Sequence, residues 1–160
     1  MGANELSALL WRERELLELL LFKLEEEQLL LTAGRSRWIQ HATREVEQVM
    51  ERLRAAGLAR AVEVSSVGTQ WGTPEDSSLR DLVANAPAGP WSDIFTSHLR
   101  AMTEITADIR RVRDSNEQFL RQAVRSTQET VASARPDTGT YDSNGAGLVS
   151  AEARMFDASL

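Results

Sequence analysis

Leucine dominates the opening of the chain, and its spacing is helical. Leu10, Leu17, Leu24 and Leu31 return every seven residues, flanked by Leu6, Leu9, Leu16, Leu20 and Leu30. That period predicts one helix over about 4–33 with a wide apolar face. Asn4 is placed to cap its start, Glu5 suits the positive end of the helix dipole, and Gly34 stands where a left-handed C′ residue belongs. Leu19, Leu21 and Phe22 spread further round the cylinder than one neighbouring helix covers. Arg12, Glu13, Glu15 and Glu25-Glu26-Glu27 occupy the remainder, which is read as a solvated side.

After the break at Gly34-Arg35-Ser36 a second seam begins near Trp38: Ile39, Ala42, Val46, Val49, Leu53 and Ala56 are spaced 3, 4, 3, 4, 3. The helix is expected over about 36–64. Gly57 weakens it by roughly 1 kcal/mol if interior, so the helix either ends there or frays through Val62 to Val67. So short a connection gives an antiparallel hairpin or a kinked continuation. Residues 65–90 are the least regular stretch before the tail. Thr73-Pro74-Glu75-Asp76 has the form of a helix start, with a capping hydroxyl, proline at the first position and two acids in the first turn. It predicts a short helix over 74–86 with Leu79, Leu82 and Val83 as its stripe, stopped by Asn85, Pro87, Gly89 and Pro90.

The longest pattern follows. Trp91, Phe95, His98, Met102, Ile105, Ile109, Val112, Asn116, Phe119 and Ala123 alternate in steps of four and three. A sustained 3.5-residue repeat predicts a coiled-coil-like helix over 91–134, about 66 Å long. From Arg135-Pro136 onward Gly, Ser and Asp accumulate and the period is lost, so residues 135–160 are expected to be a flexible tail with at most one helical turn at Ser150 to Phe156. The fold class these patterns predict is all-α: an elongated antiparallel helical bundle, built on a coiled-coil-like hairpin, with a helical domain over 1–134.

Composition narrows the chemistry. Of 160 residues, 18 are Lys or Arg and 24 are Asp or Glu, a net charge of −6 that opposes binding to phosphate backbones. Arg110, Arg111 and Arg113 form a small basic cluster, but Asp108, Asp114 and Glu117 surround it. Cysteine is absent, which removes disulfides, thiolate metal sites and a cysteine nucleophile together. Of the two histidines, His98 falls on the apolar seam and is read as a core residue. There is no glycine-rich phosphate loop, serine-centred elbow or HExxH pair, so an enzyme is not expected, and neither is a metal or other cofactor. The richest apolar run, Leu16 to Leu24, is interrupted by Glu18 and Lys23, so no membrane insertion is expected. Met1 to Glu5 has neither the basic start of a secretory signal nor a myristoylation pattern.

Two features stand apart. Asn116 interrupts the seam between Val112 and Phe119; a polar residue there either selects register or partner, or hydrogen-bonds within the bundle. The second is surplus apolar surface: the extra leucines of the first helix, and Ile94, Leu99, Leu120 and Val124 beside the long seam. Each such side chain is worth roughly 1.5–3 kcal/mol when removed from water. Either the protein self-associates as a homo-oligomer, or it holds an amphipathic helix from another protein.

The order of the pieces resembles the FlgN family of flagellar export chaperones. Leu9-Leu10-Trp11-Arg12-Glu13-Arg14-Glu15-Leu16-Leu17, continuing to Leu29-Leu30, is similar to that family's first helix, and Arg44 to Arg54 fits its second. Asn116-Glu117-Gln118-Phe119-Leu120 resembles its Asn-containing segment. Thr140-Tyr141-Asp142-Ser143-Asn144-Gly145 resembles its terminal Tyr-Asp-x-x-Gly signature. The resemblance implies a cytoplasmic chaperone for the hook–filament junction proteins FlgK and FlgL. It implies substrate binding by the C-terminal amphipathic helix, carried here onto Val112, Asn116, Phe119, Leu120, Ala123 and Val124. It also implies docking on the export gate protein FlhA through Tyr141, with Asp142 and Gly145 beside it. Tyr141 is the only tyrosine, and an isolated aromatic on a flexible segment suits recognition, or else a turn before Asn144-Gly145.

Overall fold

A computed structural model describes residues 2–134. Four helices account for nearly all of them: α1 (Ala3–Thr32), α2 (Ser36–Trp71), α3 (Leu79–Ala84) and α4 (Pro90–Ser133). No strand occurs among the described residues. The chain divides into two compact units, the first ending at Arg121 and the second beginning at Gln122.

In the first unit α1, α2 and α4 form an up-down-up bundle around two apolar layers. Leu6 and Leu10 of α1 meet Val64 and Val67 of α2, Leu79 and Leu82 of α3, and Phe95 of α4. Further along α1, Leu20 and Leu24 meet Val46 and Val49 of α2 and Ile109 and Val112 of α4. These pairings fix α1 antiparallel to α2 and parallel to α4. The long seam of α4 is thus a real interface: Phe95, His98, Ile109, Val112 and Asn116 are buried along it, with Trp91, Met102, Ile105 and Phe119 half-buried.

Gly34 takes the left-handed conformation expected of it, φ 65°. Its N–H donates to the Leu31 carbonyl, and the Arg35 N–H donates to the Leu30 carbonyl at 2.9 Å, closing a Schellman end on α1. Asn4 is not the cap at the other end. The helix begins at Ala3, and Gly2 holds the cap position without a side-chain bond.

Two boundaries differ from the pattern-based expectation, the end of α2 and the start of α3. α2 runs unbroken through Gly57 to Trp71, because Val64 and Val67 bury against Leu6, Leu10 and Phe95, which outweighs the cost of one interior glycine. The helix then ends in a second Schellman motif: Gly72 has φ 75°, and the Thr73 N–H donates to the Gly68 carbonyl at 2.8 Å. Thr73 therefore belongs to the exit from α2 and does not start a helix. α3 begins only at Leu79, where Ser78 and Asp81 form a reciprocal capping box.

A Cβ at position 72 would meet no atom within 4 Å, so only the backbone resists substitution there. Gly72→Ala is expected to cost about 1 kcal/mol of stability, read as a lower urea midpoint with unchanged m-value.

Candidate functional site

Between the two apolar layers lies a band of polar side chains that α1 turns inward. Its inward row reads Leu6, Leu10, Glu13, Leu16, Leu20, Leu24, Glu27, and all seven are buried. Glu13 accepts a 2.7 Å bond from the Arg60 guanidinium of α2. His98 of α4 lies in the same band. Its ring contacts the Ser7 hydroxyl at 3.4 Å and the Arg14 guanidinium at 3.3 Å, and meets Trp11 edge-on. This is the core histidine that its seam position predicts. Burial, and then the positive charge of Arg14, hold its pKa below the usual histidine value.

The polar node at the other end ties all three long helices together. Asn116 is 2% exposed. Its side-chain amide donates to the Leu24 carbonyl at 2.8 Å and to Glu27 Oε1 at 3.2 Å. The other carboxylate oxygen, Glu27 Oε2, accepts from the Thr43 hydroxyl of α2 at 3.1 Å. One residue along each helix, Gln28 donates to the Ser115 hydroxyl at 3.1 Å. Of the two readings of Asn116, the structure selects the hydrogen bond within the bundle, which also sets register. Glu27, like Glu13, is not part of the solvated side to which both are assigned by sequence. The position of Glu27 three residues after Leu24, on the inward row, is the signal that places it inside.

The six residues assigned to partner binding divide by burial. Val112 and Asn116 are inside the bundle, Phe119 and Leu120 are half-buried at its edge, and Ala123 and Val124 are exposed. Within Gln122–Ser133, the helical part of the second unit, every residue is exposed. Val124 keeps 57% of its surface in water and Val131 keeps 60%. Val131 was not singled out by sequence, although it lies seven residues after Val124 and so shares its face. Among the surplus apolar residues, Leu19 and Leu21 pack against the layer of Leu20 and Leu24, because α1 has two long neighbours where a hairpin would give it one, and Leu99 of α4 packs against the layer of Leu6 and Phe95. Phe22 and Ile94 stay exposed.

A family model described as FlgN protein matches residues 1–147, which takes in all four helices. The chain belongs to the FlgN family. No curated protein and no solved structure shows significant similarity to it. FlgN membership makes the chain a flagellar export chaperone, a binder of flagellar proteins. The FlgN match continues over Tyr141, Asp142 and Gly145, and these gate-docking candidates lie outside the described residues. So does the expected flexible tail over 135–160. Among the described residues, no helix is long and apolar enough to cross a membrane, and no group of three or more His, Asp or Glu side chains is placed to hold a metal ion. The small basic cluster is locally neutralised: Arg111 pairs with Asp108 at 3.1 Å and Arg113 with Asp114 at 3.4 Å, all on the surface.

Two expectations follow for this FlgN-family bundle. Asn116→Ala strips Glu27 and the Leu24 carbonyl of a buried donor and should cost about 2 kcal/mol, measured by urea unfolding. His98 takes a proton in the unfolded chain near the ordinary value of 6.5 before the folded chain does. Stability is then complete above that pH and declines as pH falls below it. The melting temperature should drop between about pH 7.5 and about pH 5, and His98→Gln should flatten that drop.

Proposed function

We propose that the chain is a cytoplasmic chaperone for the hook–filament junction proteins FlgK and FlgL. It binds their terminal helices, prevents premature assembly and delivers them to the export gate protein FlhA. The observation that carries this reading is the uncovered apolar pair on the distal part of α4, Val124 and Val131, on a stretch where no residue is buried. A helix of this kind gains its stability from a packed apolar face more than from intrinsic propensity, so an amphipathic partner helix laid against it stabilises both. Phe119, Leu120, Ala123 and Val124 supply the contact, and Val131 extends it.

Val112 and Asn116 contribute by a different route. They anchor α4 to α1 within the bundle. Binding of this sort requires no nucleotide or metal, since an unpaired helix is favoured over a paired one by contact alone. Tyr141, with Asp142 and Gly145, is assigned to FlhA, separate in sequence from the substrate-binding stretch.

Leu120→Asp combined with Val124→Asp should weaken binding of a FlgK-type C-terminal segment by at least tenfold in titration calorimetry, with helicity by circular dichroism almost unchanged. Unchanged affinity removes the assignment of these residues. Tyr141→Ala should keep that affinity and lose capture of FlhA; equal loss of both contradicts separate sites.

A further inference from the structure

The back of α2 changes character at Arg54. Up to that point the helix is dense with charge: Arg37, Arg44, Glu45, Glu47, Glu51, Arg52 and Arg54. From Ala55 to Trp71 only Arg60 and Glu63 are charged, and both are used inward. Arg60 binds Glu13, and Glu63 is buried. The outward side is left without charge, and it carries the two most exposed large apolar side chains among the described residues, Leu58 and Val62, each 71% in water.

These residues belong to a second seven-residue seam. Glu51, Ala55, Leu58, Val62, Ser65 and Thr69 are spaced 4, 3, 4, 3, 4, on the side of α2 opposite Val46, Val49, Val64 and Val67. The inward seam has its partners. The outward one has none within the bundle.

We propose that this outward seam is the contact between two copies of the chain, packed antiparallel about a two-fold axis at the level of Arg60. In that arrangement Leu58 lies on the partner's Val62 and Val62 on the partner's Leu58, while Ala55 meets Ser65 and Glu51 meets Thr69. The face is its own complement, as an isologous contact requires. Charge fixes the direction. Antiparallel packing sets Glu51 against neutral Thr69, whereas parallel packing sets Glu51 on Glu51. A face without charge has nothing to select a charged foreign segment, and Ala55 on the seam lets two backbones approach closely. Two helices in contact over residues 51–69, about 28 Å, bury on the order of 1,000 Å² in total, the low end for a specific interface. The dimer is therefore weak and concentration-dependent. It uses α2 alone and does not depend on the chaperone reading of α4.

Sedimentation velocity of the full chain from about 10 μM to about 1 mM tests this. The sedimentation coefficient should rise toward that of a dimer, and Leu58→Glu or Val62→Glu should reduce the dimer fraction about tenfold or more at the top concentration, with unchanged melting. The chain lacks cysteine, so single introduced thiols report the geometry without interference. An equimolar mixture of Leu58→Cys and Val62→Cys chains, whose thiols lie at one level on facing helices, should form the mixed disulfide; Arg54→Cys, about 18 Å along the axis from its mate, should form none. A monomer at every concentration overturns the proposal, as does a dimer indifferent to Leu58→Glu. Cross-linking of Arg54→Cys as efficient as that of the mixed Leu58→Cys and Val62→Cys pair also overturns it. So does a monomeric chain whose binding of a junction-protein helix is abolished by Leu58→Glu, since the seam then belongs to that helix.

Discussion

A carboxylate removed from water must take its hydrogen bonds from protein, and Glu27 takes them from both other long helices at once: Asn116 of α4 on one oxygen, Thr43 of α2 on the other. An apolar seam alone tolerates sliding by a heptad, because each leucine-lined hole resembles the next. A buried polar node does not, since a slip leaves a desolvated carboxylate and amide without partners at about 1–3 kcal/mol each or more. The node therefore fixes which turn of α4 faces which turn of α1. With Asn116 held at Leu24 and Glu27, α1 has only Gln28 to Thr32 left before its end, whereas α4 continues to Ser133. Phe119 and Leu120 are half-buried, and from Gln122 onward no side chain of the helix is buried. The change from buried to exposed side chains along α4 follows from where that one asparagine is anchored.

The other end of the bundle is organised differently. Its layer is purely apolar, with Phe95 between Trp71 and Trp91 and with α3 laid over it through Leu79 and Leu82. Between the two layers the Glu13–Arg60 pair and the His98 cluster interrupt the leucines, so each layer has its own closed set of neighbours. One helix supplies the inward side of everything: α1 touches both long partners along its length. This explains why it is so rich in leucine, and why much of that richness is consumed inside the molecule.

The periodic parts of the chain were legible because period is what packing acts on. The 3.5-residue row from Trp91 to Phe119 became the interface of α4, and Gly34 became the left-handed end of α1. Local signals misled where tertiary contacts outweighed them. Gly57 looked like an end, but the burial of Val64 and Val67 beyond it carries the helix on, and Thr73-Pro74 looked like a start but serves to leave α2. Charge misled in the same way. Glu27 reads as solvent-facing beside Glu25 and Glu26, and only its place three residues after Leu24 indicates a buried acid. The seam pattern puts all six residues assigned to partner binding on α4. It did not separate Val112 and Asn116, which the bundle uses itself, from Ala123 and Val124, which it leaves in water, because a heptad continues unchanged past the point where its partner helix stops.

That separation is open to direct measurement by hydrogen–deuterium exchange along α4, in the free chain and with a FlgK-type C-terminal segment added. The account predicts slow exchange over residues 95–116 in both states. It predicts fast exchange over 122–133 in the free chain, slowed when the segment is present. Equal protection of the two stretches in the free chain, or distal amides that do not respond to the segment, would contradict it.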